Sequence, residues 1–264
     1  MKICNAMMLA AAVAVSTVPD VIASTAYVDG GAEVSGLFPL GDRSSQIPYG
    51  TRFAFRDGGG GLRLDVAVDY PHMNAIFAAT NARPWSCGDC VEVWLDPSGA
   101  GKVVFQFAIG ADGTLWDRRN PGMPPTGWSA QVKRRENGWS FVAEFPYADL
   151  GVAPPKKGDR WRGNVCRTYL DASHSVITHA TWADVESKFD NPARFADLFF
   201  GSAEEERELV RRRRMAALSS LRDEIRSKGL DGHFAFKMKR LEDGAPETLV
   251  GEIVDEMRVL ENLR

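Results

Sequence analysis

The chain has 264 residues, 44% of them hydrophobic and 25% charged, with a formal net charge of −3. This length holds one sizeable β domain plus a small appendage, and the composition is that of a globular protein. The charge balance excludes general attraction to nucleic acid or anionic membranes. The seven tryptophans are many for this length, and three lie where a core does not obviously require them.

Residues 1–23 read as a secretory signal peptide. Met1-Lys2 supplies a weak positive end, residues 7–15 are an apolar run, and Val21-Ile22-Ala23 places a small residue at a cleavage position. A mature chain starting near Ser24 is expected, secreted or periplasmic. The apolar run is too short to span a bilayer, and no other stretch reaches that length. Removal of Cys4 with the peptide leaves Cys87, Cys90 and Cys166, an odd set in an oxidising compartment. One disulfide and one free thiol are expected, with the pairing open. Cys87-x-x-Cys90 lacks the βαβ surround of a thioredoxin-like motif, the second ligand pair of a zinc site and the following histidine of a haem attachment site.

Residues 24–49 are irregular. Residues 51–56 alternate about Phe53 and Phe55, Asp57 and four glycines form a turn, and Leu62, Leu64, Val66 and Val68 alternate with Arg63 and Asp65. This is a hairpin. No helix follows the glycines, so they are not expected to cradle phosphate. Residues 70–85 show no period. In the next strand Val91, Val93 and Leu95 alternate with Glu92, Trp94 and Asp96. After a turn at 98–101, Val103, Phe105, Phe107 and Ile109 alternate with Val104, Gln106 and Ala108. The polar face of this pair mixes indole, carboxylate and amide, which suits a polar, ring-shaped ligand as well as it suits plain solvent. Residues 120–127, with three prolines, form a loop. Residues 128–134 and 139–145 pair about Glu136-Asn137-Gly138, 146–151 make one helical turn, and 161–170, 178–182 and 194–201 are further strands. Many short strands with such turns predict a mainly β protein, an antiparallel β-sandwich over residues 24–201.

The composition changes at Ser202. Ser202 and Glu205 form a capping box. Leu218, Leu221 and Ile225 keep helical spacing up to Gly229; Phe234, Met238 and Leu241 mark a second helix. Pro246 then precedes a third with Val250, Ile253, Met257, Leu260 and Leu263. The four arginines at 211–214 sit among Glu204, Glu205, Glu206 and Glu208, so they read as a solvated, ion-paired helix face rather than a nucleic-acid patch. Residues 202–264 are expected to form a C-terminal α-helical hairpin or short bundle, available for docking or self-association.

Residues 50–201 resemble carbohydrate-binding module family 9, a branch of the DOMON-like sandwiches. The marks are Asp89-x-x-Glu92-x-x-x-Asp96-Pro97; Phe105-Gln106-Phe107 followed by Asp112-Gly113-x-x-Trp116-Asp117; Gly138-Trp139 leading to Glu144-Phe145-Pro146 and Leu150-Gly151; Gly158-Asp-x-Trp161-x-x-Asn164-Val-x-Arg167; and Trp182 with Pro192-x-x-Phe195-Ala196-x-Leu198. The resemblance implies a non-catalytic sandwich that binds mono-, oligo- or polysaccharide, often at a chain end, between two tryptophans. Carried over by residue, it makes Trp85 and Trp182 the stacking rings, Glu92 and Gln106 the hydroxyl contacts and His179 a further polar contact. It also implies structural calcium, for which Asp112 and Asp117 are candidates. The cysteines depart from the family pattern. The chemistry is apt: tryptophan covers the C–H face of a pyranose, and carboxylate and amide reach its hydroxyls. Trp139 and Trp161, beside strand-core residues, are expected in the core.

Two other classes compete. A glycoside hydrolase, or a domain that accompanies one in polysaccharide catabolism, would pair Glu92 with Asp96 or Glu144 across a cleft, yet Glu92 and Asp96 face the same way along one strand. A DOMON-like haem or redox module would need axial ligands, for which His72, Met73 and His174 are available but in no diagnostic motif.

Overall fold

The computed structural model describes residues 25–28, 33–41, 46–119, 127–171, 173, 175–246 and 248–262; the expected signal peptide, Cys4, the proline loop at 120–126, His174 and Leu263 lie outside them. In chain order the strands are β1 (Ala26–Tyr27), β2 (Val34–Ser35), β3 (Phe38–Pro39), β4 (Thr51–Asp57), β5 (Gly61–Asp69), β6 (Cys90–Asp96), β7 (Phe105–Gly110), β8 (Leu115–Asp117), β9 (Ser129–Arg135), β10 (Gly138–Pro146), β11 (Arg160–Leu170), β12 (Val176–Thr181) and β13 (Ala196–Phe199). They form two sheets. One runs β1-β13-β11-β6-β7-β8, with β12 also on β11 and β3 on β12; the other runs β2-β4-β5-β10-β9. Every pairing is antiparallel except that of β1 with β13. The expected antiparallel β-sandwich is present.

Period-two patterning assigns the faces. Leu62, Leu64, Val66 and Val68 of β5 and Trp139, Phe141, Ala143 and Phe145 of β10 are buried, as are Val91, Val93 and Leu95 of β6 and Phe107 and Ile109 of β7. All belong to one apolar core. The β4–β5 hairpin closes as its glycines suggest. Gly58 N–H donates to Gly61 C=O (2.9 Å), Gly59 adopts φ +77°, and its N–H donates to Asp57 Oδ1 (2.8 Å). Trp139 and Trp161 are buried as expected.

The core also holds a charged knot. Arg167 of β11 and Asp89, just before β6, are both fully buried. The guanidinium donates to Asp89 through Nε (3.0 Å) and Nη2 (2.8 Å). Its remaining donors reach Gly50 C=O (3.2 Å), Thr51 Oγ1 (3.1 Å) and Asp69 C=O (3.0 Å) on the facing sheet's β4 and β5 segments. Asp89 Oδ2 also accepts from the Trp139 indole (2.8 Å), and the Tyr169 ring lies 4.3 Å from the guanidinium carbon. Five donors and a carboxylate are satisfied in one place, the condition under which a buried ion pair is tolerated. The knot ties the two sheets together where β6 begins.

The edge neighbour of β11 changes along its length. Residues 160–163 pair with β13, and residues 166–170 pair with β12. Where these neighbours diverge, Trp182 N–H still bonds Val165 C=O (2.8 Å), and its side chain enters the core.

The chain divides into two compact units, one ending at Glu206 and the other beginning at Arg207. Helix α1 (Ala203–Ser227) starts in the first. Its capping box forms: Ser202 N–H donates to Glu205 Oε2 (2.9 Å), and Glu205 N–H to Ser202 Oγ (3.2 Å). Gly229, at φ +65°, ends it. With α2 (Asp231–Glu242) and α3 (Thr248–Asn262), α1 builds a separate apolar core containing Leu221, Ile225, Phe234, Leu241, Ile253 and Met257. Within the arginine run, Arg211 and Arg212 pair with Glu208, and Arg214 caps the end of α2 through Leu241 C=O (3.1 Å) and Ala245 C=O (2.9 Å). No described helix is long and apolar enough to cross a membrane.

Candidate functional site

The outer face of β7-β6-β11-β12 carries a graded set of side chains, fixed by register. One row reads Gly110, Cys90, Thr168, His179, and the next reads Ala108, Glu92, Cys166, Thr181. Of these residues Glu92, Thr168 and His179 reach the surface of the sheet together with Gln106. A groove of about 570 Å³ lies there.

Its floor is polar. Gln106 Nε2 donates to Glu92 Oε2 (2.7 Å), while Gln106 Oε1 accepts from Arg118 Nε (3.1 Å). Arg118 is therefore held over the Trp94 ring, 5.0 Å from its centre. Thr168 Oγ1 and His179 Nδ1 share a hydrogen bond of 3.0 Å. Burial pushes the Glu92 carboxyl above its ordinary value, against the opposing effects of the Gln106 hydrogen bond and the Arg118 charge.

Its walls are apolar. Trp85 stands on one side, in the turn Pro84–Ser86; Phe189, Leu170 and Val176 also line the groove. Trp85 is 40% exposed, and its ring is braced edge-on by Trp116 at 5.2 Å. The turn is pinned from several directions. Ser86 Oγ donates to Arg83 C=O (2.8 Å) and accepts from Thr80 N–H (2.8 Å), and Phe77 N–H donates to Cys87 C=O (3.1 Å). The backbone of β7 passes close beneath at Gly110, where a Cβ would lie 3.3 Å from Pro84 Cα and 3.0 Å from Cys87 Sγ. A larger residue there would lift the tryptophan.

Four residues expected at the site, Trp85, Glu92, Gln106 and His179, line this one groove. Trp182 does not. It is 1% exposed and packs edge-on against Phe53 at 5.4 Å. The reason is parity: His179 and Thr181 face outward, so the next residue turns inward. A ring enclosed in the core cannot stack on a ligand. Trp94 lies on the expected face but is buried beside Phe195. Sequence reasoning missed Thr168, Phe189 and the brace Trp116. Register would have found two of them, since Thr168 pairs with His179 and Trp116 with Ala108. Phe189 sits in a stretch with no period.

The expected disulfide is absent. Cys87, Cys90 and Cys166 are buried, unpaired thiols. Cys90 lies opposite Thr168 and Cys166 opposite Glu92, which makes the two cysteines diagonal neighbours. Diagonal spacing of about 7–8 Å is beyond the reach of a disulfide. Burial pushes all three thiols up, so they serve as small neutral side chains.

Asp112 and Asp117, the candidates for calcium, are each engaged by hydrogen-bond donors of the fold. Asp112 accepts from Ala79 N–H (2.7 Å), Thr114 N–H (2.9 Å) and Thr114 Oγ1 (2.6 Å). Asp117 is buried and accepts from the Trp128 indole (2.8 Å), with the Arg119 guanidinium 3.9 Å away. Both carboxylates are occupied by donors, and no cluster of three or more metal-binding side chains occurs among the described residues. The carboxyl partners considered for hydrolysis are also elsewhere. Asp96 is buried and caps the turn through Ser98 and Gly101 N–H (3.1 and 2.7 Å). Glu144 lies on the other sheet beside Arg63. Of the haem candidates, His72 Nε2 is bonded to the Tyr49 hydroxyl (3.0 Å) and Met73 packs against the core.

No family model and no curated protein matches the chain. Solved structures do. A carbohydrate-binding module of family 9 from Caldicellulosiruptor kristjanssonii in complex with glucose superposes with a TM-score of 0.52 at 14% identity, over 69% of this chain and 98% of that one. The same kind of module from that organism in complex with cellotriose gives a TM-score of 0.51 at 14% identity, over 69% and 96%. The sandwich thus has the fold of a family 9 carbohydrate-binding module.

Proposed function

We propose that the sandwich is a non-catalytic carbohydrate-binding module whose ligand sits in the groove between Trp85 and Phe189. One observation carries the reading: a braced, exposed indole stands over a floor where a carboxylate and an amide lie side by side. The Trp85 ring covers the C–H face of a pyranose. The Glu92 oxygen that Gln106 leaves free accepts from a hydroxyl, and Thr168 and His179 serve the far rim of the ring. The sheet holds these groups before the ligand arrives, which spares ordering entropy. The structural likeness to modules solved with glucose and cellotriose supports this class of ligand. Glu92 is the one carboxyl among the described lining residues, so the two-carboxylate arrangement of most glycosidases lacks its second member. A signal peptide over residues 1–23, expected from the sequence, fits a protein that meets polysaccharide outside the cytoplasm.

The test is titration of the protein with glucose, cellobiose and cellotriose, following tryptophan fluorescence. A saturable change that disappears in Trp85→Ala and persists in a folded Trp161→Phe control, a core ring outside the groove, supports the reading. No response from folded protein to any of the three overturns it.

A further inference from the structure

The groove has an unusual charge balance. Among its described lining residues Glu92 is the one with a formal charge at neutral pH, His179 counted as neutral. No cationic side chain among the described residues forms an ion pair with it; its hydrogen-bond partner is the neutral amide of Gln106. The nearest basic group that acts on it, Arg118, is directed to Gln106 Oε1 and to the Trp94 face instead. Its other neighbours on the sheet, Cys90 and Cys166, are buried thiols. The carboxylate is thus half-buried, without an ion-pair partner among the described residues, and shares its groove with the exposed indole of Trp85 and the ring of Phe189. A desolvated anion beside aromatic faces is an environment that attracts a ligand cation.

We propose that this groove selects a protonated amino sugar, a 2-amino-2-deoxy-hexose unit, over its neutral counterpart, with the ammonium on Glu92 and the ring against Trp85. This rests on the carbohydrate reading above and narrows it. A hydroxyl donates one hydrogen bond to Glu92; an ammonium at the same place donates and also neutralises the charge, a charge-assisted contact that is stronger than the neutral one. A uronic acid brings a second anion to the same spot and is disfavoured.

The test is calorimetric titration of the full chain near pH 6.5 with glucose, glucosamine, N-acetylglucosamine and glucuronate, at low salt and in 1 M NaCl. Glucosamine is expected to bind about tenfold more tightly than glucose at low salt. N-acetylglucosamine, which keeps the nitrogen and loses the charge, should show no such advantage, and glucuronate should be the weakest. The glucosamine advantage should shrink in 1 M NaCl while glucose binding stays nearly constant. In Glu92→Gln the ratio of the two affinities should fall towards one, a readout internal to each protein. Equal binding of glucose and glucosamine, or an advantage that survives both salt and Glu92→Gln, overturns the proposal and leaves the carbohydrate reading standing. Absence of binding to all four sugars by folded protein overturns both.

Discussion

Strands β6 and β11 build two polar sites on opposite faces of one sheet, and the two are finished differently. On the inner side Asp89 and Arg167 are enclosed and fully bonded, with five guanidinium donors placed and the carboxylate shared with Trp139. On the outer side Glu92 meets Gln106 through one oxygen, and the remainder of its bonding capacity faces the groove. The same contrast separates two tryptophans. Trp182 is enclosed by core rings, and Trp85 is braced by Trp116 yet 40% exposed. A closed arrangement holds the fold, and an open one on the same strands leaves free energy for a ligand. Sequence alone presents the two tryptophans as the same residue type, and Asp89 and Glu92 alike as carboxylates.

Mutations should separate the two members cleanly. The largest loss is expected at the knot. Asp89→Ala leaves the Arg167 guanidinium buried without its partner and should destabilise the protein by about 3–5 kcal/mol, read as a lower urea midpoint. A small loss would mean that water reaches the guanidinium and the knot is not closed. Trp182→Ala should cost a comparable amount, about 3–5 kcal/mol, with sugar affinity retained by the folded fraction. If it instead removed binding with stability intact, Trp182 would belong to the site after all. Trp85→Ala inverts that pattern. Sugar binding should weaken about tenfold or more, since the ring supplies the stacking surface, while stability moves by less than about 1 kcal/mol because the ring is already partly in water.

Much of the sandwich could be read from the chain because its strands alternate with period two and its turns carry glycine. The β4–β5 hairpin and the two faces of β6 and β7 followed from that pattern. The three helices followed from apolar spacing, with the capping box at Ser202 and the stop at Gly229. The site was legible where a residue stood on a strand of known parity, as Glu92 and Gln106 do. The assignment failed where parity was not applied: residues 179 and 182 are an odd number apart on one extended segment, so His179 and Trp182 could not both face the groove. The knot was hidden for another reason. Asp89 and Arg167 are 78 positions apart, and nothing local in either segment announces the partner. Phe189 was invisible because its segment has no period, and the thiols were misjudged because a register offset of two residues separates Cys90 from the position opposite Cys166.

The smallest predicted effect tests the open site most directly. Burial raises the Glu92 carboxyl above the ordinary value of 4.5, so the folded protein holds that proton more tightly than the unfolded chain does. Stability must therefore fall as pH rises through the window just above 4.5, where the unfolded chain has already ionised and the folded one resists. Below that window both states carry the proton and Glu92 contributes no pH slope. Glu92→Gln removes the titration. Without ligand it should melt about 1–3 °C higher than the wild type at pH 7, with the difference narrowing towards pH 4, in thermal scans of the two proteins side by side. Its sugar binding should weaken at the same time, because the group that strains the empty groove is the one that holds the ligand. A Glu92→Gln protein that melts lower than the wild type at pH 7 would show that Glu92 is already satisfied by the fold, and the outer pair would then be closed like the inner one.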